Sequence, residues 1–144
     1  MKNKKRYLLI FASESIGIVA PIYGHEMPDM VKEFLKKTVF HTDYFYLILT
    51  YGNRHGGAAE LAQKYCEECG IHVNYINVIL MVDNWLPSFD MNEQKKNDKK
   101  IPKQLASILA DLSSHKDQIS EVTEQDCMAH QQFLSFASQM PADA

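Results

Sequence analysis

The sequence predicts an α/β fold with a mostly parallel sheet, formed by a single domain over residues 1–144. Several apolar runs have the aromatic and β-branched composition of buried strands, and amphipathic segments with helical spacing follow them. Strands that alternate with helices are typical of βαβ units and of parallel sheets. With 144 residues and 46% hydrophobic content, the chain is large enough to bury one core.

Composition excludes several classes of function. A net charge of −3 and a pI near 6.0 argue against binding to nucleic acid or to an anionic membrane surface. The longest apolar runs, 16–20 and 44–49, are far too short to span a bilayer, and the basic N-terminus is not followed by a signal-peptide core. Three cysteines, an odd number, indicate a reducing compartment, so we expect a cytoplasmic protein.

The first two predicted strands, 6–12 and 15–20, are both expected to be buried and are separated only by Ser13 and Glu14. Neighbouring parallel strands need a crossover of about a dozen residues or more, so these two cannot form a βαβ unit. Two alternatives remain. They form a hairpin, or they are one long strand with a polar interruption.

The next segments predict two βα units. A loop over 21–27 leads to Pro28, which suits the start of a helix whose apolar face is formed by Met27, Met30, Val31, Phe34 and Leu35. Residues 39–43 are expected to connect this helix to the strand 44–49. A glycine-rich turn and a helix over about 57–69 follow, and Gly70 suits the left-handed position after a helix.

The remaining chain predicts a third strong strand, a long loop and a C-terminal helical extension over 92–144. The strand covers 71–81, and the loop 83–89 carries the only tryptophan, Trp85. One helix opens at Pro102. The last helix begins at Thr123, a good N-cap with Asp126 three residues later, and its apolar stripe is Ala129, Phe133, Phe136, Ala137 and Met140.

The Cys66-Glu67-Glu68-Cys69 motif does not predict redox or zinc chemistry. It lies at the C-terminal end of a helix and contains two glutamates, and both features disfavour a thiolate. A structural zinc site would need a second ligand pair, which neither Cys127 nor the histidines supply at a suitable spacing. No nucleophile elbow, Walker motif or nicotinamide fingerprint occurs, so we predict no catalytic residue and no metal ligand.

Three loops, 21–27, 50–57 and 83–89, each leave the carboxyl end of a predicted strand. In a parallel sheet such loops converge on one edge, the usual place for a ligand. They carry glycines and flat side chains, which suit a planar heteroaromatic ligand. His25 and His55 lie in two of these loops, and Arg54 is the residue that would meet an anionic group.

At these residues the chain resembles the flavodoxin superfamily, and more closely the flavodoxin-like module of fused flavodoxin–ferredoxin proteins. The resemblance covers roughly residues 15–140 and rests on segments 17–24, 50–57 and 81–85. It implies a three-layer α/β/α fold, FMN as cofactor, and a redox partner protein or iron–sulfur module as partner. The cofactor-binding residues that it implies are Pro21, Ile22, Tyr23, Gly24, Thr50, Tyr51, Gly52, Asn53, Gly56 and Gly57.

The sequence departs from this family pattern in two ways. The first strand ends at Phe11-Ala12-Ser13-Glu14 and the next follows at once, so the phosphate-binding loop, the first helix and the second strand are missing. Because phosphate contacts anchor FMN, we expect its affinity to be reduced. The cysteine-rich ferredoxin module is also missing, so the resemblance implies a shortened gene product, a fragment or a divergent member.

Three functions therefore remain open. The first is a flavodoxin-like electron carrier that binds FMN and needs no catalytic acid or base. The alternative is a non-redox α/β interaction module derived from a flavodoxin, which would associate as a homodimer through its uncovered apolar sheet. The third, a flavin-dependent reductase of a small substrate or quinone, is disfavoured because the sequence has no nicotinamide fingerprint.

Overall fold

The computed structural model describes residues 8–52, 54–81 and 100–139. Within these ranges the chain forms six strands and four helices. In chain order they are β1 (Leu9–Ala12), β2 (Ser15–Pro21), α1 (Asp29–Lys36), β3 (Thr38–His41), β4 (Tyr44–Tyr51), α2 (Ala58–Glu68), β5 (Tyr75–Leu80), α3 (Ile101–Ser113), β6 (Gln118–Ile119) and α4 (Glu124–Ala137).

All strand pairs are parallel. The larger sheet has the order β2-β4-β5-β6, and β1 pairs with β3 in a two-stranded sheet. Leu9 lies opposite Thr38 and Ser15 lies opposite Tyr44, which is the same offset of 29 positions in both sheets. Ser13 bridges the bend between them, where its N–H donates to the carbonyl of His41 at 3.0 Å.

This geometry decides between the two alternatives for the N-terminal strands. β1 and β2 do not pair with each other, so the hairpin is wrong. They run as one bent strand along β3 and β4, with the polar residues Ser13 and Glu14 at the bend. The Thr42 hydroxyl donates to the carbonyl of Glu14 at 2.9 Å and so supports the bend from the neighbouring strand.

The larger sheet lies between two helical layers, which confirms the α/β prediction. Alternate residues of β4 face opposite sides because side chains alternate along a strand. On one side Phe45, Leu47 and Leu49 form a core with residues of α1 and α2, among them Leu35 and Cys66. The opposite core consists of Tyr44, Ile48, Tyr75, Ile79 and Ile108, the last from α3.

The first strand is not buried as expected. Ile10 and Phe11 are 62% and 46% exposed. β1 is paired only on the β3 side, and within the described residues it belongs to neither buried core cluster. Phe11 is instead in ring contact with Phe34 and Phe40, at centroid distances of 6.2 and 6.1 Å.

Several other expectations need correction. Residues 39–43 were expected to be a connection, but Thr38–His41 forms β3. The third strand begins at Tyr75 rather than at residue 71, although Ile71 is buried in the core. Met27, which lies just before α1, is buried as expected, but Met30 of α1 is 82% exposed because it lies on the outer side of that helix.

The last helix is also different from its prediction. It has the expected Thr123 cap, but α4 contains no buried residue, and Phe133 and Phe136 are both exposed. Of the helices in the described ranges, none combines the length and apolar character needed to cross a bilayer.

Candidate functional site

Two of the three predicted loops meet at the carboxyl ends of β2 and β4. Pro21 lies opposite Thr50 in the sheet, and the N–H of Ile22 donates to the carbonyl of Thr50 at 2.8 Å. Tyr51 ends β4 and Gly52 follows it directly. We call this edge, formed by residues 21–26 and 50–57, the rim. Asn53 and the third loop, 83–89, lie outside the described residues.

A tight turn follows Pro21 and Ile22. The N–H of Tyr23 donates to the carbonyl of Glu26 at 2.8 Å, and Glu26 donates back to Tyr23 at 3.2 Å. The two residues between them, Gly24 and His25, have φ values of 58° and 66°. A left-handed backbone at both central positions is the geometry of a type I′ turn, which favours glycine but is uncommon for histidine.

This turn places the imidazole of His25 directly against Gly56. A Cβ built on Gly56 would lie 2.7 Å from Cγ of His25, so glycine is required there by contact as well as by its φ of 54°. Gly57 follows as the N-cap of α2 and provides no side-chain hydrogen bond to the helix. Both glycines are buried, so the start of α2 lies beneath the turn.

The last helix covers the same place from outside. Cζ of Phe133 would lie 3.1 Å from a Cβ at Gly24, and the Phe133 ring centroid is 4.8 Å from that of His25. The ring of His130, one turn earlier on α4, is 5.5 Å from that of His25. The rim and α4 are therefore joined through a cluster of rings.

The start of α4 is fixed by a capping box. The N–H and the hydroxyl of Thr123 donate to Oδ2 of Asp126 at 2.9 and 2.7 Å, and the N–H of Asp126 donates back to the Thr123 hydroxyl at 3.2 Å. The other carboxylate oxygen, Oδ1, is 3.9 Å from Nε2 of His55. Asp126 thus links the cap of α4 to the second loop of the rim.

The electrostatics of the site are dominated by imidazole and guanidinium groups. Burial, followed by the charges of His130, Arg54 and His55, lowers the pKa of His25. Burial alone would raise the pKa of Asp126, but the hydrogen bonds from Thr123 and the charge of His55 hold it below its usual value. The site therefore combines the permanent positive charge of Arg54 and the carboxylate of Asp126 with the imidazoles of three histidines.

A cavity of about 420 Å³ lies between the second loop and α4. Arg54 and Gly56 line it on the loop side, and the α4 side is lined by Gln125, Asp126, Met128, Ala129 and Gln132. Its volume is in the range of small-molecule sites. The guanidinium of Arg54 and the two glutamine amides would favour an anionic or polar group.

The rim fits a planar ring only in part. The side chain of Tyr23 is 68% exposed and can stack against a flat ligand. Tyr51 is half-buried, and its ring makes an edge contact with His55 at 5.0 Å. However, the ring of His25 lies against Gly56, and the ring of Phe133 lies against Gly24. A planar ligand in contact with both glycines would have to displace these two side chains.

The other sequence candidates lie away from the rim. Burial, followed by the charges of Cys69 and Glu67, raises the pKa of the Cys66 thiol to about 12, so it is a neutral thiol at neutral pH. Within the described residues no group of three or more His, Cys, Asp or Glu side chains is arranged to hold a metal ion.

Of the ten predicted binding residues, the nine outside position 53 lie in the two loops of this rim. The sequence reasoning missed His130 as part of the site and missed that Phe133 covers Gly24. Asp126, His130 and Phe133 recur at spacings of four and three residues, which places them on one face of a helix. This spacing is the sequence signal that could have indicated that the three side chains act together at the site.

Comparisons with protein-family models, with curated proteins and with solved structures find no match to this chain. The fold and the site define the protein as an α/β protein whose rim is lined by aromatic and imidazole rings.

Proposed function

We propose that this protein is a cytoplasmic, flavodoxin-like electron carrier that binds FMN at the rim. The supporting observation is the register of β2 and β4. It sets Pro21 opposite Thr50 and so brings the loops 21–24 and 50–57 side by side at the carboxyl ends of adjacent parallel strands. Ligands of open α/β sheets collect at such ends.

The chain's own residues would bind and orient the ring. Tyr23 offers an exposed aromatic face for stacking, and Gly52 lies where backbone groups can approach the ring edge. Arg54 is exposed at the same rim and supplies a positive charge for a phosphate. FMN, when bound, supplies the electron-transfer chemistry, so the protein needs no catalytic acid or base.

The test is a titration of the full-length protein with FMN, followed by flavin fluorescence. We expect quenching that saturates, and about two- to tenfold weaker binding for Tyr23→Ala, since an aromatic stacking contact contributes about 0.5–1.5 kcal/mol. Phe11→Ala is the matched control, because this half-exposed ring lies on β1, far from the rim. Unchanged fluorescence up to high micromolar FMN would contradict the proposal.

A second function is favoured by the exposed edge of the sheet. β1 is apolar and exposed, and in the described part of the chain neither β1 nor β2 has a strand on its outer side. Unpaired apolar edges are templates for pairing with another chain. We propose as the alternative a non-redox module that forms a homodimer along β1 and β2.

This alternative is tested by light scattering over a range of protein concentrations. We expect a dimer, and a shift to monomer for Ile10→Lys, because a charge on an edge strand opposes pairing. Met30→Lys is the control, since Met30 is also an exposed apolar residue but lies on α1. A protein that stays monomeric at every concentration would exclude the dimer.

A further inference from the structure

The position of α4 depends on its contacts with the rim. The helix contributes no residue to either buried core cluster among the described residues. Its contacts with the turn are made by His130 and Phe133, whose rings lie 5.5 and 4.8 Å from the ring of His25. Because α4 is held mainly by these contacts, it can undock from the rim while the two buried cores stay packed.

Two atoms in this contact are buried and have no hydrogen-bond partner among the described residues. They are Nδ1 of His25 and Nδ1 of His130. A neutral imidazole can direct an unprotonated nitrogen to such a place, whereas an imidazolium carries N–H groups on both nitrogens and needs an acceptor for each. Burial is also the first cause that lowers the pKa of His25, so protonation of His25 is unfavourable while α4 is docked.

The groups around His25 that can carry charge come from several elements. The loop before α2 brings Arg54 and His55, and α4 brings His130 and Asp126. The neighbouring turn residue Glu26 is paired with Lys32 of α1. The rim also carries the hydroxyls of Tyr23 and Tyr51, and the pKa of Tyr51 is raised by burial and then by the charge of Asp126, so that hydroxyl is neutral in this range.

We propose that α4 is a pH-sensitive cover of the rim, docked while His25 is neutral and released when it is protonated. Burial and the neighbouring positive charges lower the pKa of His25 in the docked protein. The docked state therefore binds fewer protons than the released state, and docking is favoured above the ordinary histidine pKa of about 6.5 and lost as the pH falls below it.

One interaction opposes this effect. Protonated His55 would attract Asp126, whose Oδ1 is 3.9 Å from its Nε2. A single ion pair at this distance and partial exposure contributes little. The imidazole of His25, whose Nδ1 has no acceptor among the described residues, lies beside the permanent charge of Arg54, acts in the other direction and sets the sign.

The test is amide hydrogen exchange of the full-length protein at about pH 7.5 and about pH 5.5, expressed as protection relative to the intrinsic rate at each pH. We expect protection of the α4 amides to fall up to about tenfold, because the released state takes up one proton at His25. The amides of β4 serve as the internal reference and should stay protected. Equal protection of α4 at both pH values, or no protection at either, would overturn the proposal.

Variants separate the titration of His25 from general effects of acid. His25→Asn removes the titratable ring and suits the left-handed backbone, so it should give weaker but pH-independent protection. His130→Phe keeps a ring beside His25, so α4 should still lose protection at low pH. His72→Gln, at an exposed histidine before β5, should retain the wild-type response. A wild-type response in His25→Asn would refute the mechanism.

Release of α4 would withdraw Phe133 from Gly24, and only this last step rests on the proposed function. FMN should then bind more tightly near pH 5.5 than near pH 7.5 to the wild type, but not to His25→Asn. If α4 is released at low pH and FMN binds at neither pH, the proposed function is wrong, but the proposal that α4 is a pH-sensitive cover still holds. If FMN binds equally at both pH values and α4 stays protected, the cover fails.

Discussion

At the scale of single residues, Gly56 and Gly70 both have a left-handed backbone, and of these two only Gly56 is also crowded. Gly56 has a φ of 54° and lies against the ring of His25, whereas Gly70 has a φ of 78° and no described atom within 4 Å of the place that a Cβ would take. Substitutions at these two glycines can therefore distinguish the free-energy cost of a left-handed backbone from the cost of a steric clash with His25.

We expect Gly70→Ala to lower the free energy of unfolding by about 1–2 kcal/mol, the cost of a left-handed conformation for an L-residue. Gly56→Ala should cost about 1–3 kcal/mol more, because the new Cβ must displace His25. Urea denaturation measures both. Equal losses would mean that the turn at His25 moves away without cost, which would also weaken the case for a firmly docked α4.

At the rim, the positions of the two loops could be predicted from the sequence, but the contact with α4 could not. The two loops were placed correctly because strand order and parallel pairing follow from the chain's alternation of strands and helices. The cover was missed because Gly24 and Phe133 are far apart in sequence, and the periodicity of a helix indicates which of its faces is apolar but not where that face docks.

At the scale of elements, one side chain completes the unpaired part of a strand. β6 pairs only with Tyr75 and Ile76 at the start of β5. At the other end of β5, the Gln104 amide takes the place of a neighbouring strand. The N–H of Leu80 donates to Oε1 of Gln104 at 3.0 Å, and Nε2 donates to the carbonyl of Leu80 at 3.1 Å.

We expect Gln104→Ala to lower the free energy of unfolding by about 1–3 kcal/mol, because it leaves a partly buried backbone donor and acceptor of Leu80 without this partner. Gln131→Ala is the matched control at an exposed position of α4 and should have little effect. Thermal unfolding followed by circular dichroism provides the comparison. A loss no larger than that of the control would show that water replaces the amide.

The elements that were predicted well have strong local signals. The capping box of Thr123 and Asp126 and the left-handed Gly70 are examples, since both depend only on neighbouring residues. β3 was missed because its four residues are too few to show a pattern. The start of β5 was placed too early because Ile71 and Val73 are buried outside the strand, so their apolar character records burial and not strand pairing.

At the scale of the whole molecule, both cores contain a weak acid that is neutral in the folded state. Cys66 lies in the core beneath α1 and α2, and Tyr75 lies in the core beneath α3. Burial is the main cause in both cases, and it raises the pKa of Cys66 and of Tyr75 to about 12.

Folding stability should therefore fall at alkaline pH. A raised pKa in the folded state means that the unfolded chain releases its proton first, so stability is complete below about pH 9 and is lost between about pH 9 and 12. Each group removes up to about 1.4 kcal/mol per pH unit. Urea denaturation across this range measures the slope.

The contribution of one group can be isolated with cysteine variants. Cys66→Ala should flatten the dependence between about pH 9 and 10, where Tyr75 has not begun to contribute. Cys127→Ala, which changes an exposed cysteine, should leave the slope as it is. An identical slope in Cys66→Ala would mean that the buried thiol is not the group that titrates.

The shared register of the bent strand pair has a consequence for the rate of folding. Only α1 and its short connections separate β2 from β3, so closing that one loop aligns residues 9–21 with residues 38–50 along their whole length. We therefore expect this pair to be formed in the folding transition state, and α4 to dock afterwards. In stopped-flow experiments Leu47→Ala should slow refolding, whereas Phe133→Ala should chiefly accelerate unfolding.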